Sequence, residues 1–328
     1  MQCANHLKQM GLGVHNFHDT AQGLPPSITW SGSGTSLFGI VYPFIEQVQL
    51  YDRLLVLTNR LGDEPGTWWW LNTVTDLEER KQLGSVTIYR CPSRRGGGPL
   101  MTEDTTDPGG YAVLGPKTDY ALVASSNVNG NTPLPSAVDP AWSWVRDYVW
   151  CSEYFYSWGD VLTSMQSSPF RMGLAEDPAD RATWYPRDTM AWWADGTSNQ
   201  FIIGEKHIPA SRLGKCDADP PRPNVGDCSY LRNREWAGPS TQRPLQKRLV
   251  GNTNDPQVTP IARGPEEDYS DLGNGPDALD GGSFGSNHPG FCQFLLGDGS
   301  VRAIPVTTST NILAAYSVVD DGKTVILP

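Results

Sequence analysis

The first apolar pattern in the chain is a seam: Cys3, Leu7, Met10, Val14 and Phe17 follow one another at alternating spacings of four and three. That period predicts a helix over residues 1–22 with one apolar stripe, leaving Asn5, Lys8, Gln9 and Asn16 on the other faces. Gly11 and Gly13 fall inside it, each costing roughly 1 kcal/mol relative to alanine. Asp19-Thr20, Gly23 and the Pro25-Pro26 pair end it. A stripe this regular lies against a folded domain or against neighbouring copies of itself.

Downstream the pattern shortens. Ser36 to Leu57 begins almost wholly apolar, then takes helical spacing at Phe44, Val48, Tyr51 and Leu55, so a short element to Tyr42 and a helix from Pro43 are expected. A polar helix is expected near Asp76–Leu83, and strands at Ser85–Arg90 and Thr118–Ala124. Thr189–Glu205 reads as strand, turn, strand about Asp195-Gly196, and Phe291–Ile304 as a hairpin closed by Gly297-Asp298-Gly299. A short helix over Thr310–Val318 and a last strand over Lys323–Leu327 complete the reading. Two stretches have no such period. Residues at about 127–188 carry Trp142, Trp144, Trp150, Trp158 and Trp184, and those at about 209–282 are rich in Pro, Gly, Asp and Arg. Both read as loop-rich insertions in a head spanning 23–328, and no internal repeat is present.

Composition narrows the function classes. The formal charge of −11 argues against nucleic acid and against an anionic membrane surface. No run of about 18 apolar residues occurs, and mean hydropathy is −0.41. With 34 Gly, 27 Pro and 12 Trp, and only 19% charged residues, the chain suits a β-rich protein with long ordered loops. The six cysteines are scattered; no C-x2-C pair exists, which argues against a structural zinc site. Cys216 and Cys228 flank a Pro/Asp-rich loop and form the candidate disulfide, in keeping with an oxidising envelope compartment. The indoles of the first insertion suit a carbohydrate or partner surface, or simply pin that insertion to the core.

Six blocks then occur in order: CANHLKQMGLGVHNFHDTAQGLPPS, YPFIEQVQLYDRL, YRCPS, TDYALV, ADGTSNQFIIGE and SNHPGFCQFLLGDGSVRAI. Together they resemble the planctomycete family of prepilin-type proteins with a C-terminal H-x9-DG signature, which here would be His288, Asp298 and Gly299. The resemblance implies an α+β, type IV pilin or pseudopilin-like fold, its N-terminal helix packed on an antiparallel β-sheet. It also implies a hydrophobic first half of that helix and a prepilin cleavage site, neither of which these residues contain. Membrane association is therefore expected only through such an N-terminal segment.

Three chemistries are weighed on the residues themselves. Gly281-Gly282-Ser283-Phe284-Gly285 matches G-x-S-x-G, but the nucleophile elbow needs a strand before the serine and a helix after it, and a Pro-Gly turn follows instead. His15 and His18, with Asp19 beside them, have zinc-compatible spacing without a third ligand, so helix packing is the better reading. Calcium is the cofactor the resemblance implies, with Asp195, Asp298, Asp320 and Asp321 as turn-borne oxygen donors, and Asn127-x-Asn129-x-Asn131 echoing the opening of a calcium loop. His288 and Asp298 are expected to serve architecture, Asp298-Gly299 forming the hairpin turn. The chain thus reads as a non-enzymatic structural subunit of the cell envelope or of an extracellular filament, self-associating through the first helix. The alternative is a surface-displayed module binding glycan or an envelope partner.

Overall fold

The computed structural model describes residues 1–27, 36–58, 76–98, 100–102, 115–126, 168–171, 173–177, 180–214, 227, 230, 247–251, 260–267, 283–320, 322–323 and 325–327. Helix α1, Gln2–Ala21, leads the chain and stops at Gln22, whose φ of 55° takes the left-handed cap. Short helices α2 (Leu37–Ile40) and α3 (Val48–Thr58) flank a 3-10 turn at Tyr42–Ile45. Helix α4 spans Leu77–Leu83, with Asp76 Oδ1 accepting from the Glu79 N–H at 2.7 Å as its cap.

The strands are β1 (Met101–Thr102), β2 (Gly115–Pro116), β3 (Tyr120–Ser126), β4 (Leu174–Asp177), β5 (Asp180–Tyr185), β6 (Phe201–Glu205), β7 (Lys247–Gly251), β8 (Phe291–Leu296) and β9 (Val301–Pro305), before helix α5 at Thr310–Ala315. The main sheet runs β7-β3-β6-β8-β9, antiparallel from β3 to β9, with β7 added parallel to β3 at one edge. The fold is α+β, an N-terminal helix lying on an antiparallel sheet.

Strand alternation, reset in β6 by a register shift between Phe201 and Ile203, sorts the core into two layers. Tyr120 and Leu122 of β3, Ile203 of β6 and Leu295 of β8 face α1, where they meet Cys3, Leu7, Met10 and Val14. Ala121, Val123, Phe201, Phe294 and Leu296 face the other way, against Phe284, Leu313 and Tyr316. The helical glycines explain themselves here. A Cβ on Gly13 would stand 2.6 Å from Ile45 Cγ2, and one on Gly11 3.0 Å from Leu295 Cδ1, so both let α1 settle closer than alanine could.

Four local expectations are corrected. Ser85–Arg90 is not a strand; Thr87–Tyr89 is a 3-10 turn, because both edges of β3 are already occupied by β6 and β7. Tyr89 turns inward instead, its ring edge-on to Phe38 and Tyr230, its hydroxyl donating to the Phe38 carbonyl at 2.6 Å. The helix expected from Pro43 starts at Val48, since Glu46 has a φ of 63°. Of Thr189–Glu205 only β6 is a strand: 3-10 turns at Met190–Trp192 and Thr197–Asn199 replace the first half, anchored by Trp193 Nε1 donating to the Pro169 carbonyl at 2.9 Å. Residues 325–327 join no strand and are tied by Tyr316 OH donating to the Val325 carbonyl at 2.9 Å.

Candidate metal centre

Where α1 meets the sheet, four segments remote in sequence each bring one polar side chain to a common point. Cys3 comes from the first turn of α1, with its carbonyl accepting from Tyr120 OH at 3.3 Å. One turn on, His6 Nδ1–H donates to the Arg90 carbonyl at 2.7 Å, drawing the helix against the residue that precedes Cys91. Cys91 opens a tight turn in which its carbonyl accepts from the Arg94 and Arg95 N–H groups at 2.9 and 3.1 Å. Glu205 ends β6, paired with Tyr120, and strand alternation aims it at the helix as it does Ile203. His288 sits in the bend before β8, its ring stacked on Phe291 at 5.0 Å and 6°, its N–H donating to Ser286 Oγ at 3.0 Å.

Their ligand atoms, the two sulfurs, one carboxylate oxygen and one imidazole nitrogen, all lie within 4.8 Å of one another. Cys91 Sγ donates to Glu205 Oε1 at 3.2 Å, and His288 Nε2 meets the same oxygen at 3.2 Å. Cys91 Sγ and His288 Nε2 are 4.0 Å apart. The second oxygen, Oε2, accepts from the Gln293 N–H at 2.8 Å. Cys3, Cys91 and Glu205 are buried at 2%, 1% and 0% exposure, while the His288 side chain keeps 15%. Beside it exposed Ser93 places Oγ 2.9 Å from Cys91 Sγ and 3.4 Å from His288 Nε2, so the cluster meets solvent on that side.

The electrostatics follow from this crowding. The Cys3 thiol is lowered to about 5, chiefly by the hydrogen bond with Cys91, while that same bond and burial push the Cys91 thiol up. His288 is raised, first by its bond to Glu205 and against the effect of burial. Beneath the turn, the Cys91 N–H donates to Asp119 Oδ2 at 2.8 Å, and Asp119 Oδ1 pairs with Arg94 at 3.3 Å and Arg95 at 2.7 Å. Arg95 also grips Asp227 at 2.6 Å, with Lys117 at 3.4 Å. Burial raises both carboxyl groups; the Arg94 and Arg95 charges overcome it at Asp119 and the Arg95 hydrogen bond does so at Asp227, and both end below the usual carboxylate range. This ionic layer fixes the turn that carries Cys91.

Two thiols, an imidazole and a carboxylate are a donor set for a tetrahedral transition metal. Sequence spacing did not point to it: Cys91 and Glu205 are 114 residues apart and Cys91 and His288 are 197 apart, so no local pair exists. The available signal was that QCANHLKQ, YRCPS, FIIGE and SNHPG each hold one of the four.

The residues singled out from sequence fall elsewhere, except Cys3 and His288. Leu7, Met10, Val14 and Phe17 are buried within the chain, and the outward face of α1 carries Gln2, Asn5, Lys8, Gln9 and Asn16. Asp298 is exposed in the β8–β9 turn, where Oδ1 accepts from the Ser300 N–H at 2.8 Å, and Gly299 alone takes positive φ, 81°. Asp195 Oδ1 accepts from the Gly322 N–H at 3.1 Å, and Asp320 is exposed. Asp321 lies outside the described residues. Among the described residues, Asp195, Asp298 and Asp320 join no group of three or more metal-ligating side chains. His15 Nε2 donates to the Gly297 carbonyl at 2.9 Å, and His18 Nε2 accepts from the Met190 N–H at 3.4 Å, so both pin α1 to neighbouring backbone. Ser283 is fully buried, followed by a bridge and a turn rather than a helix. Cys216, Cys228, Asn127, Asn129, Asn131 and four of the five indoles of the first insertion lie outside the described residues; Trp184 is half-buried. Cys3, Cys91 and Cys292 are free thiols.

Residues 1–312 match the family described as protein of unknown function (DUF1559). The chain belongs to that family. No curated protein and no solved structure matches this DUF1559 chain. All four clustered side chains lie inside the matched span.

Proposed function

We propose that this DUF1559 protein is a non-enzymatic structural subunit of the cell envelope or of an extracellular filament, built as prepilin-type proteins with the H-x9-DG signature are. The observation that carries the reading is the seam of α1. Four apolar residues of the N-terminal helix, Cys3, Leu7, Met10 and Val14, pack in one core with the subunit's own antiparallel sheet, the arrangement by which a pilin-like head is joined to its helix. The outward face of α1 is polar apart from Leu12, at 62% exposure, so subunit contacts fall to other surfaces or to chain preceding this helix. Among the described residues no helix is long and apolar enough to cross a membrane. The burial of Ser283 argues against the G-x-S-x-G serine as a nucleophile, because a hydroxyl at 0% exposure meets no substrate.

Immunogold labelling of whole cells with antibody to this chain, viewed by negative-stain electron microscopy, tests the reading. Gold along surface filaments or over the envelope is the expected result. Label confined to the cell interior overturns it.

A further inference from the structure

We propose that Cys3, Cys91, Glu205 and His288 bind one zinc ion, which clamps the N-terminal helix to the sheet. The inference does not rest on filament assembly; it stands on the cluster alone.

The geometry carries it. Tetrahedral zinc with bonds of about 2.0–2.3 Å to N, O and S sets its ligand atoms roughly 3.3–3.8 Å apart. The separations here, 3.2, 3.2 and 4.0 Å with none beyond 4.8 Å, bracket that range, so small side-chain movements close the site. The donor set selects the ion: two thiolates and an imidazole suit zinc, and a wholly carboxylate and carbonyl shell suits calcium or magnesium. The surroundings are built for it. Glu205 Oε2 is held by the Gln293 N–H, the Cys91 backbone by Asp119, and the His288 ring by Phe291, leaving Oε1, Sγ and Nε2 turned to one point. Without an ion, the Cys91 thiol and His288 both turn to Oε1 of Glu205, a carboxylate buried at 0% exposure, with Cys3 Sγ within 4.8 Å. With one, Oε1 bonds the cation directly, and zinc, two thiolates and the carboxylate together carry a single negative charge.

The chemistry balances simply. The aqueous ion sheds its waters; Cys3 and Cys91 each lose a thiol proton to solvent, and each sulfur forms one bond to zinc. The Glu205–His288 contact opens, and Oε1 and the neutral Nε2 complete the shell. Any proton held on Nε2 leaves with the thiol protons. All four positions are filled by protein, which makes the site structural rather than hydrolytic. Its consequence is mechanical: residues 3, 91, 205 and 288 become covalently linked through one atom at the root of α1.

The full chain, purified without chelator and dialysed, should hold one equivalent of zinc by elemental mass spectrometry. Cobalt(II) replacing it should give thiolate-to-metal charge transfer and the strong visible bands of a tetrahedral ion. His288→Gln removes the partly exposed ligand with the least risk to folding, and should weaken zinc at least ~100-fold in chelator competition. Cys91→Ser should abolish the charge-transfer band contributed by its sulfur. Ser93→Ala, which touches the cluster without supplying a ligand, should retain the full equivalent. Zinc held unchanged by the Cys3→Ser/Cys91→Ser pair overturns the proposal. So does native protein whose Cys3 and Cys91 are joined as a disulfide, or that carries two free thiols and takes up no zinc or cobalt.

Discussion

The two faces of the sheet are held by different forces. On the far face, Phe201 stacks on Phe294 at 4.5 Å, Phe284 meets Phe294 edge-on at 4.9 Å, and Tyr316 lies 4.9 Å from Phe201. Among the described residues this cluster is made of apolar side chains, and its stability follows from apolar area removed from water. On the helix face, an apolar seam gives way at the root of α1 to thiols, a buried carboxylate and a row of Arg–Asp pairs. Such groups cost free energy to bury and return it only when every partner is present. The far face tolerates small losses by degrees, whereas the helix face stands or falls as a set.

Substitutions can break that contrast. Leu7→Asp, at 0% exposure in the seam, should be the most severe, on the order of 5 kcal/mol and enough to undock α1. Loss of near-UV circular dichroism with retained secondary structure would register it; a native melting curve would show that the seam is dispensable. Asp227→Asn and Phe294→Ala should each cost about 3–5 kcal/mol, for opposite reasons. The first leaves Arg95 and Lys117 short of a buried counter-charge; the second opens a cavity between Phe201 and Phe284. Acid tells them apart. The folded Asp227 carboxyl titrates below its unfolded value, so its contribution is whole above the ordinary range near ~3.9 and drains as pH falls through the folded value. The difference between parent and Asp227→Asn in urea midpoints should therefore shrink below about pH 4, while the Phe294→Ala difference stays constant. A gap that ignores pH for both removes the distinction between the faces.

Gly13→Ala probes how closely α1 is seated. Its Cβ would meet Ile45 Cγ2 at 2.6 Å, so despite a gain in helix propensity the net loss should be about 1–3 kcal/mol. Ile45→Ala, which removes Cγ2, should recover part of the loss in a double-mutant cycle, and strict additivity would place the strain elsewhere.

The two faces were unequally legible. α1 could be read because it buries a periodic set, Cys3 to Phe17, and β3, β6, β8 and β9 because short apolar runs are bounded by turn residues, Gly297-Asp298-Gly299 closing the hairpin from Phe291 to Ile304. Ser85–Arg90 misled, since its strand-like residues owe their burial to an aromatic cluster, and both edges of the neighbouring strand β3 are taken by β6 and β7. The cluster at the root of α1 stayed hidden for a different reason. Motif rules for metals depend on ligands close in sequence, while here the fold alone assembles them, one from a helix, one from a turn, one from a strand end and one from a bend. His288 was singled out for an architectural role, but without Glu205 as its partner.

That last point gives the smallest effect and the finest test. His288 and Asp298 flank β8, and their surroundings assign them separate work. His288 reaches across to Glu205, Cys91 and Ser93; Asp298 bonds its own turn and the Thr197–Asn199 turn, its carboxylate accepting from the Ser300 N–H and its N–H donating to the Thr197 carbonyl at 3.0 Å. Asp298→Ala removes one solvent-exposed hydrogen bond and leaves Gly299 free to hold its φ of 81°, so the cost should be about 1 kcal/mol, a few degrees in Tm or less. His288→Gln should act through the cluster instead. Because the two share no partner, a cycle of Asp298→Ala with His288→Gln should be additive to within roughly 0.5 kcal/mol. A coupling well above that would mean that the turn and the cluster work as one element, and that β8 transmits between them.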